Sequence, residues 1–88
     1  MSDPNVIPAP TASAVLSHVV RALVDDPEAV AVEALEGRRG KILLEVRTGP
    51  GDMGRVIGRR GKTAQAIRAV VRAAATRDGV DVDVDFAD

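Results

Sequence analysis

One stretch of the 88-residue chain gathers glycines and bases: Gly54-Arg55-Val56-Ile57-Gly58-Arg59-Arg60-Gly61-Lys62-Thr63. It closes on G-K-T, the end of a Walker A loop, so the chemistry to consider first is the holding of phosphate. A Walker A loop needs a glycine at position 56, where this chain has Val56. The Rossmann fingerprint needs a glycine at the same place and fails on the same residue. Both also want a strand directly upstream, where a helix is predicted. What remains is a G-x-x-G turn between two helices. Such a turn exposes backbone N–H groups, and the next helix adds its positive end. Arg59 and Arg60 project from its tip, where they can reach phosphates on either side.

Other chemistry has little to draw on. The chain has no cysteine and no tyrosine, and its one histidine, His18, is remote in sequence from the loop. No enzyme activity and no cofactor are expected. Asp81, Asp83 and Asp85 repeat the D-x-D-x-D of a calcium loop but lack its glycine and closing glutamate, so no metal site is expected either. Phe86 is the sole aromatic, which excludes the stacking platforms of an RRM or an OB-fold.

The net charge of −1 hides a strong asymmetry. Residues 53–77 hold Arg55, Arg59, Arg60, Lys62, Arg68, Arg72 and Arg77 and no acid, whereas 78–88 hold five aspartates and no base. A local basic stretch is an electrostatic footprint that the average conceals.

The elements that must position the loop follow from periodicity. Residues 1–10, with three prolines, read as a flexible tail ahead of a single domain at 11–88. Thr11 or Ser13 can cap a helix whose face is Ala12, Val15, Leu16, Val19, Val20 and Leu23. Val30, Val32 and Ala34 alternate in a strand, Gly37-Arg38-Arg39-Gly40 turns the chain at a soluble tip or, alternatively, at a second nucleic-acid contact, and Ile42, Leu44 and Val46 alternate in a second strand. Gly49-Pro50-Gly51-Asp52 should open a short helix, with Pro50 first and Asp52 in its first turn. A longer helix after Gly61 should bury Ile67, Val70, Val71 and Ala74 and end at Gly79. A last strand alternates Val80, Val82, Val84 and Phe86 with aspartates that face water. No internal repeat is expected. The order α-β-β-α-α-β predicts an α+β fold, with helices on one face of a three-stranded mixed sheet whose second and last strands are parallel.

In that order, D-M-G-R-V-I-G-R-R-G-K-T-A-Q-A-I-R at 52–68 resembles the core motif of the KH domain, V-I-G-x-x-G-x-x-x-x-x-I, in its bacterial type II arrangement. Length and element order from about residue 12 to 86 are similar to the small stand-alone KhpA-like proteins. The resemblance implies binding of single-stranded RNA, with about four nucleotides clamped at the loop. It gives Gly58, Arg59, Arg60 and Gly61 the loop role, Lys62 a supporting phosphate contact, Val56, Ile57 and Ile67 the apolar groove, and Arg68 an additional contact. It also implies an RNA chaperone or post-transcriptional regulator affecting cell shape and envelope homeostasis, as a homodimer or with a larger KH-domain protein of the KhpB kind.

A second reading is a protein–protein adaptor whose RNA contact is incidental. Leu35 and Leu43 on the wet face of the hairpin, or the surface around Val56 and Ile57, are its docking candidates. With no leader and no apolar run of membrane length, a cytoplasmic protein is expected.

Overall fold

A computed structural model describes residues 8–87. Its elements are α1 (Pro10–Leu23), β1 (Ala31–Glu36), β2 (Ile42–Arg47), α2 (Met53–Ile57), α3 (Lys62–Asp78) and β3 (Val82–Ala87). Single 3₁₀ turns stand at Pro27–Ala29, Arg38–Gly40 and Arg59–Gly61. The α+β order is the expected one. β2 is the central strand, antiparallel to β1 and parallel to β3. A crossover through α2 and α3 is what makes that parallel pair possible.

Alternation along the strands sends one set of side chains to the core. Leu44 and Val46 are fully buried, and Val82 and Val84 nearly so. Leu16 and Val20 of α1, Val56 of α2 and Val71 of α3 complete the interior. Each contributes about 1.5–3 kcal/mol by burial, which matters in a domain this small. The other sheet face carries Glu33, Leu35, Leu43, Glu45, Asp83 and Asp85, with Leu35 directly opposite Leu43. No described helix is long and apolar enough to cross a membrane.

Three local expectations are corrected. First, neither Thr11 nor Ser13 caps α1, which starts at Pro10 with no side-chain cap from its own N-cap residue, Ala9. Ala9 lies in the core, while residues 1–7 of the expected tail fall outside the described residues. The cap comes from the far end of α3. Asp78 accepts the Thr11 and Ala12 backbone N–H groups at 3.0 and 2.9 Å. Partial burial would raise the Asp78 pKa, but the hydrogen bonds from Ala12 and Thr11 outweigh it and hold the carboxyl below its ordinary value.

A depressed carboxyl stabilises the fold above its unfolded pKa, and that contribution is lost as pH falls through the folded one. Asp78→Asn should therefore lower the melting temperature at pH 7. The gap to the parent should close below about pH 4, as followed by circular dichroism melts at several pH values.

Second, Gly49-Pro50-Gly51-Asp52 forms a turn, and α2 begins only at Met53. Asp52 makes no side-chain cap for α2. Its buried carboxylate instead accepts the N–H groups of Asp25 (3.3 Å) and Asp26 (3.1 Å) where the chain leaves α1. Arg55 reinforces this joint, reaching Asp25 at 3.0 Å and Asp52 at 3.7 Å. The short helix in front of the loop is thereby fastened to α1.

Third, the buried stripe of α3 is Ala64, Ile67, Val71 and Ala75, while Val70 is 52% exposed and Ala74 only half-buried. Alanine at the two ends of the buried stripe allows α3 to approach α1 closely.

Candidate nucleic-acid interface

The loop is built by two helices that cannot merge. Gly58 ends α2 by donating its N–H to the Gly54 carbonyl at 3.0 Å, then takes φ 74°, ψ 175°. That region is essentially reserved for glycine. A Cβ on Gly58 would also collide with the Thr63 Oγ1 and lie 2.6 Å from the Thr63 Cβ. Sequence reasoning passed over Thr63, which has no signal beyond its place after G-K. Arg59, Arg60 and Gly61 then make one tight turn, closed by the Gly61 N–H on the Gly58 carbonyl (3.2 Å) and the Lys62 N–H on the Arg59 carbonyl. Arg60 sits in the left-handed region at φ 58°, ψ 24°.

Gly61 is the N-cap of α3. It supplies no side-chain cap, and the first turn contains no acid. The first N–H groups of a helix have no partner within it. Here the Lys62 N–H is taken by the Arg59 carbonyl, and the positive end of a 17-residue helix dipole faces the loop through the N–H groups that follow. Arg59, Arg60 and Lys62 are exposed around that end. Among the described residues, none of the three is engaged in an ion pair. This arrangement can bind an anion whose charge is spread over several oxygens and whose backbone must pass close to the protein.

The other candidate residues divide by burial. Val56 is fully buried and Ile67 is 3% exposed, so both support the loop from the core. Ile57 is half-buried and offers the accessible apolar surface beside Gly58. Arg68 lies one helical turn and a half further on, against β3. Its Nε donates to the Val84 carbonyl at 3.3 Å, and its guanidinium carbon is 5.0 Å from the centre of the Phe86 ring. That distance is within cation–π range.

Phe86 was expected simply to face the core; it also forms part of this edge. β3 is an edge strand of the sheet, with no strand pairing on its outer side, and the Val84 carbonyl there is taken by Arg68. A base edge presents the donors and acceptors that such a strand can use. Arg68 thus links α3, whose first turn adjoins the loop, to the β3 edge.

Known proteins share this arrangement by sequence. The family described as KhpA/KhpB, KH domain matches residues 13–86. A protein named RNA-binding protein KhpA from Leifsonia xyli subsp. xyli is 52% identical over 69 residues, covering 78% of this chain and 90% of that protein. Its namesake from Streptomyces coelicolor is 51% identical over 69 residues, covering 78% of this chain and 85% of its own length. The Mycobacterium tuberculosis protein of the same name is 45% identical over 69 residues, 78% of this chain and 84% of that one. The family match runs from the first turns of α1 into β3 and takes in the whole loop. The chain belongs to the KhpA/KhpB family of KH domains.

Proposed function

We propose that this chain binds single-stranded RNA at the 58–62 loop and acts in the cytoplasm as an RNA chaperone or post-transcriptional regulator. The observation that carries this reading is the glycine-bounded Arg59-Arg60 turn set before the uncapped, acid-free N-terminus of α3. The printed names of the relatives support the choice of RNA as ligand. Gly58, Arg59, Arg60, Gly61 and Lys62 take phosphates, Ile57 offers an apolar base contact, Val56 and Ile67 hold that surface in place, and Arg68 meets a base at the β3 edge.

A single short loop with few contacts gives modest affinity, so the chain works as one half of a two-module assembly, a homodimer or a pair with a larger KH-domain protein. The joint description of KhpA with KhpB supports the second arrangement. Two modules on one strand raise avidity by about 10²–10⁴ with no new type of contact. Among the described residues Leu23, Leu35 and Val70 are the exposed large apolar side chains, and Leu35, with half-buried Leu43 opposite, is the docking candidate on the outer face of the sheet. Effects on cell shape and envelope homeostasis follow from the RNAs so regulated.

Titration of the purified chain against short single-stranded and duplex RNA tests this. Single strands should be preferred, with log affinity falling by roughly 0.7 per phosphate contact against log salt. Binding that ignores salt, or favours duplex, overturns the RNA reading. A strict monomer with nanomolar affinity, unchanged by any second module, overturns the two-module reading alone. An adaptor role is supported instead if protein partners are still held after the loop charges are reversed.

A further inference from the structure

The five residues Gly-Arg-Arg-Gly-Lys occur twice in this chain, at 58–62 and at 37–41. The expectation of no internal repeat misses this because the copies sit in unlike surroundings, one joining two helices and the other two strands. Their first glycines differ, Gly37 at φ −101°, ψ −163° and Gly58 at φ 74°, ψ 175°, but the second arginine and second glycine of each turn agree. Arg39 takes φ 56°, ψ 37°, against φ 58°, ψ 24° for Arg60. Gly40 takes φ 77°, against 73° for Gly61. In both turns the lysine N–H closes on the carbonyl of the first arginine, at 2.9 Å from Lys41 to Arg38. A Cβ on Gly40 or on Gly61 would meet nothing within 4 Å, so the backbone beside each is open. Left-handed φ is uncommon for a side chain as large as arginine. Among the described residues only Ala9, Arg39 and Arg60 show it outside glycine.

The second turn is not isolated from the first. α3 starts at the 58–62 loop and runs back along β3, with Arg68 reaching Val84 and Arg72 reaching Asp83 at 3.6 Å. Lys41 reaches the same Asp83 at 3.9 Å. The hairpin is also tied to the start of β3, because Ile42 donates its N–H to the Asp81 carbonyl at 2.9 Å. α3, about 25 Å long at 1.5 Å per residue, thus leads from the first turn toward the Asp81–Asp83 end of β3, to which the second turn is tied. Arg68, Arg72 and Lys41 mark the edge between them. Of the acids along this edge, Asp83 is shared by Lys41 and Arg72, while Asp85 is exposed and, among the described residues, engaged in no ion pair. Arg38 and Arg39 are exposed and, among the described residues, engaged in no ion pair.

We propose that the 37–41 turn is a second phosphate contact for the same RNA strand. A strand held at 58–62 runs along the α3–β3 edge and lays a phosphate further along its length on Arg38, Arg39 and the open backbone of Gly40. This rests on the RNA reading of the first loop. Two features make the second contact the weaker one. Lys41 leads into a strand, not a helix, so no helix end adds its charge, and the exposed Asp81 lies nearby. The proposal lengthens the bound segment beyond the roughly four nucleotides that one KH loop clamps.

The test measures fluorescence anisotropy of the full chain with single-stranded RNAs of about four and about ten nucleotides, lengths within the range of single-strand sites. It compares Arg38→Asp with Arg39→Asp, the matching pair of lysine substitutions, and Arg59→Asp with Arg60→Asp. The hairpin reversal should leave four-nucleotide binding unchanged and weaken ten-nucleotide binding about tenfold, equivalent to one charge-assisted contact. It should also flatten the salt slope for the longer RNA by roughly 0.7 per lost contact. The lysine pair should keep most of the affinity for the longer RNA. If the hairpin reversal binds both RNAs as the parent does while the Arg59 and Arg60 reversal loses both, the second contact is refuted and the first stands. Equal weakening of both lengths by the hairpin reversal also refutes it, as a diffuse charge effect. If the Arg59 and Arg60 reversal loses neither RNA, the primary reading fails and takes the second contact with it.

Discussion

Replacing Arg59 and Arg60 together by aspartate should reduce affinity for short single-stranded RNA at least about 100-fold. Two charge-assisted contacts contribute roughly 1.5–3 kcal/mol each, and their reversal sets negative charge against phosphate. The fold should survive. Both side chains are exposed, and Arg60 holds a left-handed φ that aspartate tolerates more readily than arginine. The melting temperature should stay within a few degrees of the parent, since exposed substitutions typically shift stability by less than about 0.5 kcal/mol. A mobility-shift titration on the folded variant decides the matter. Parental affinity there means that the loop is not the RNA site, however well its geometry suits phosphate.

Gly58→Ala should damage both stability and binding, whereas Gly61→Ala should be mild. At Gly58, alanine meets a backbone region that costs roughly 1–3 kcal/mol for any side chain. Its Cβ also runs into Thr63, and relieving such an overlap costs a further 1–3 kcal/mol or so. A loss on the order of 3 kcal/mol lowers the melting temperature by about 15 °C in a domain this size. Thr63 lies in the first turn of α3, so moving it tilts the N–H groups that face the loop. RNA affinity should therefore fall even at temperatures where the variant is fully folded. Gly61 has open space where its Cβ would stand and incurs only the left-handed penalty, about 1–2 kcal/mol. Thermal melts of the two variants side by side test the ordering, and equal losses would mean that the Thr63 contact plays no part.

The order of elements and the place of the loop were legible in the sequence because both depend on local rules. Alternation at Ile42, Leu44 and Val46 has a period of two in any context, so β2 and its inward face could be read directly. Gly58 and Gly61 interrupt helical periodicity whatever lies around them, and the bases of 53–77 are a matter of composition.

Contacts between distant segments decided the rest. The cap of α1 is Asp78, 67 positions from Thr11, and Thr11 and Ser13 looked adequate only while the helix was considered alone. Asp52 fits a helix N-terminus by type, yet the unpaired N–H groups of Asp25 and Asp26 lie beside it in space and take its carboxylate.

The face of α3 was misjudged for a similar reason. Six of its residues are alanine, at 64, 66, 69, 73, 74 and 75, so apolar character runs nearly around the helix and periodicity cannot choose a side. Packing on α1 and the sheet made the choice, burying Ala64 and Ala75 and leaving Val70 in water. The same packing placed Val56 and Ile67 beneath the loop and brought Arg68 onto Phe86 at the β3 edge. Residue type and spacing determined that this chain would present a glycine-bounded basic turn. Only the tertiary structure decided which side chains stand around that turn, because burial and hydrogen-bond partners belong to neighbours in space, and most of those neighbours are far away along the chain.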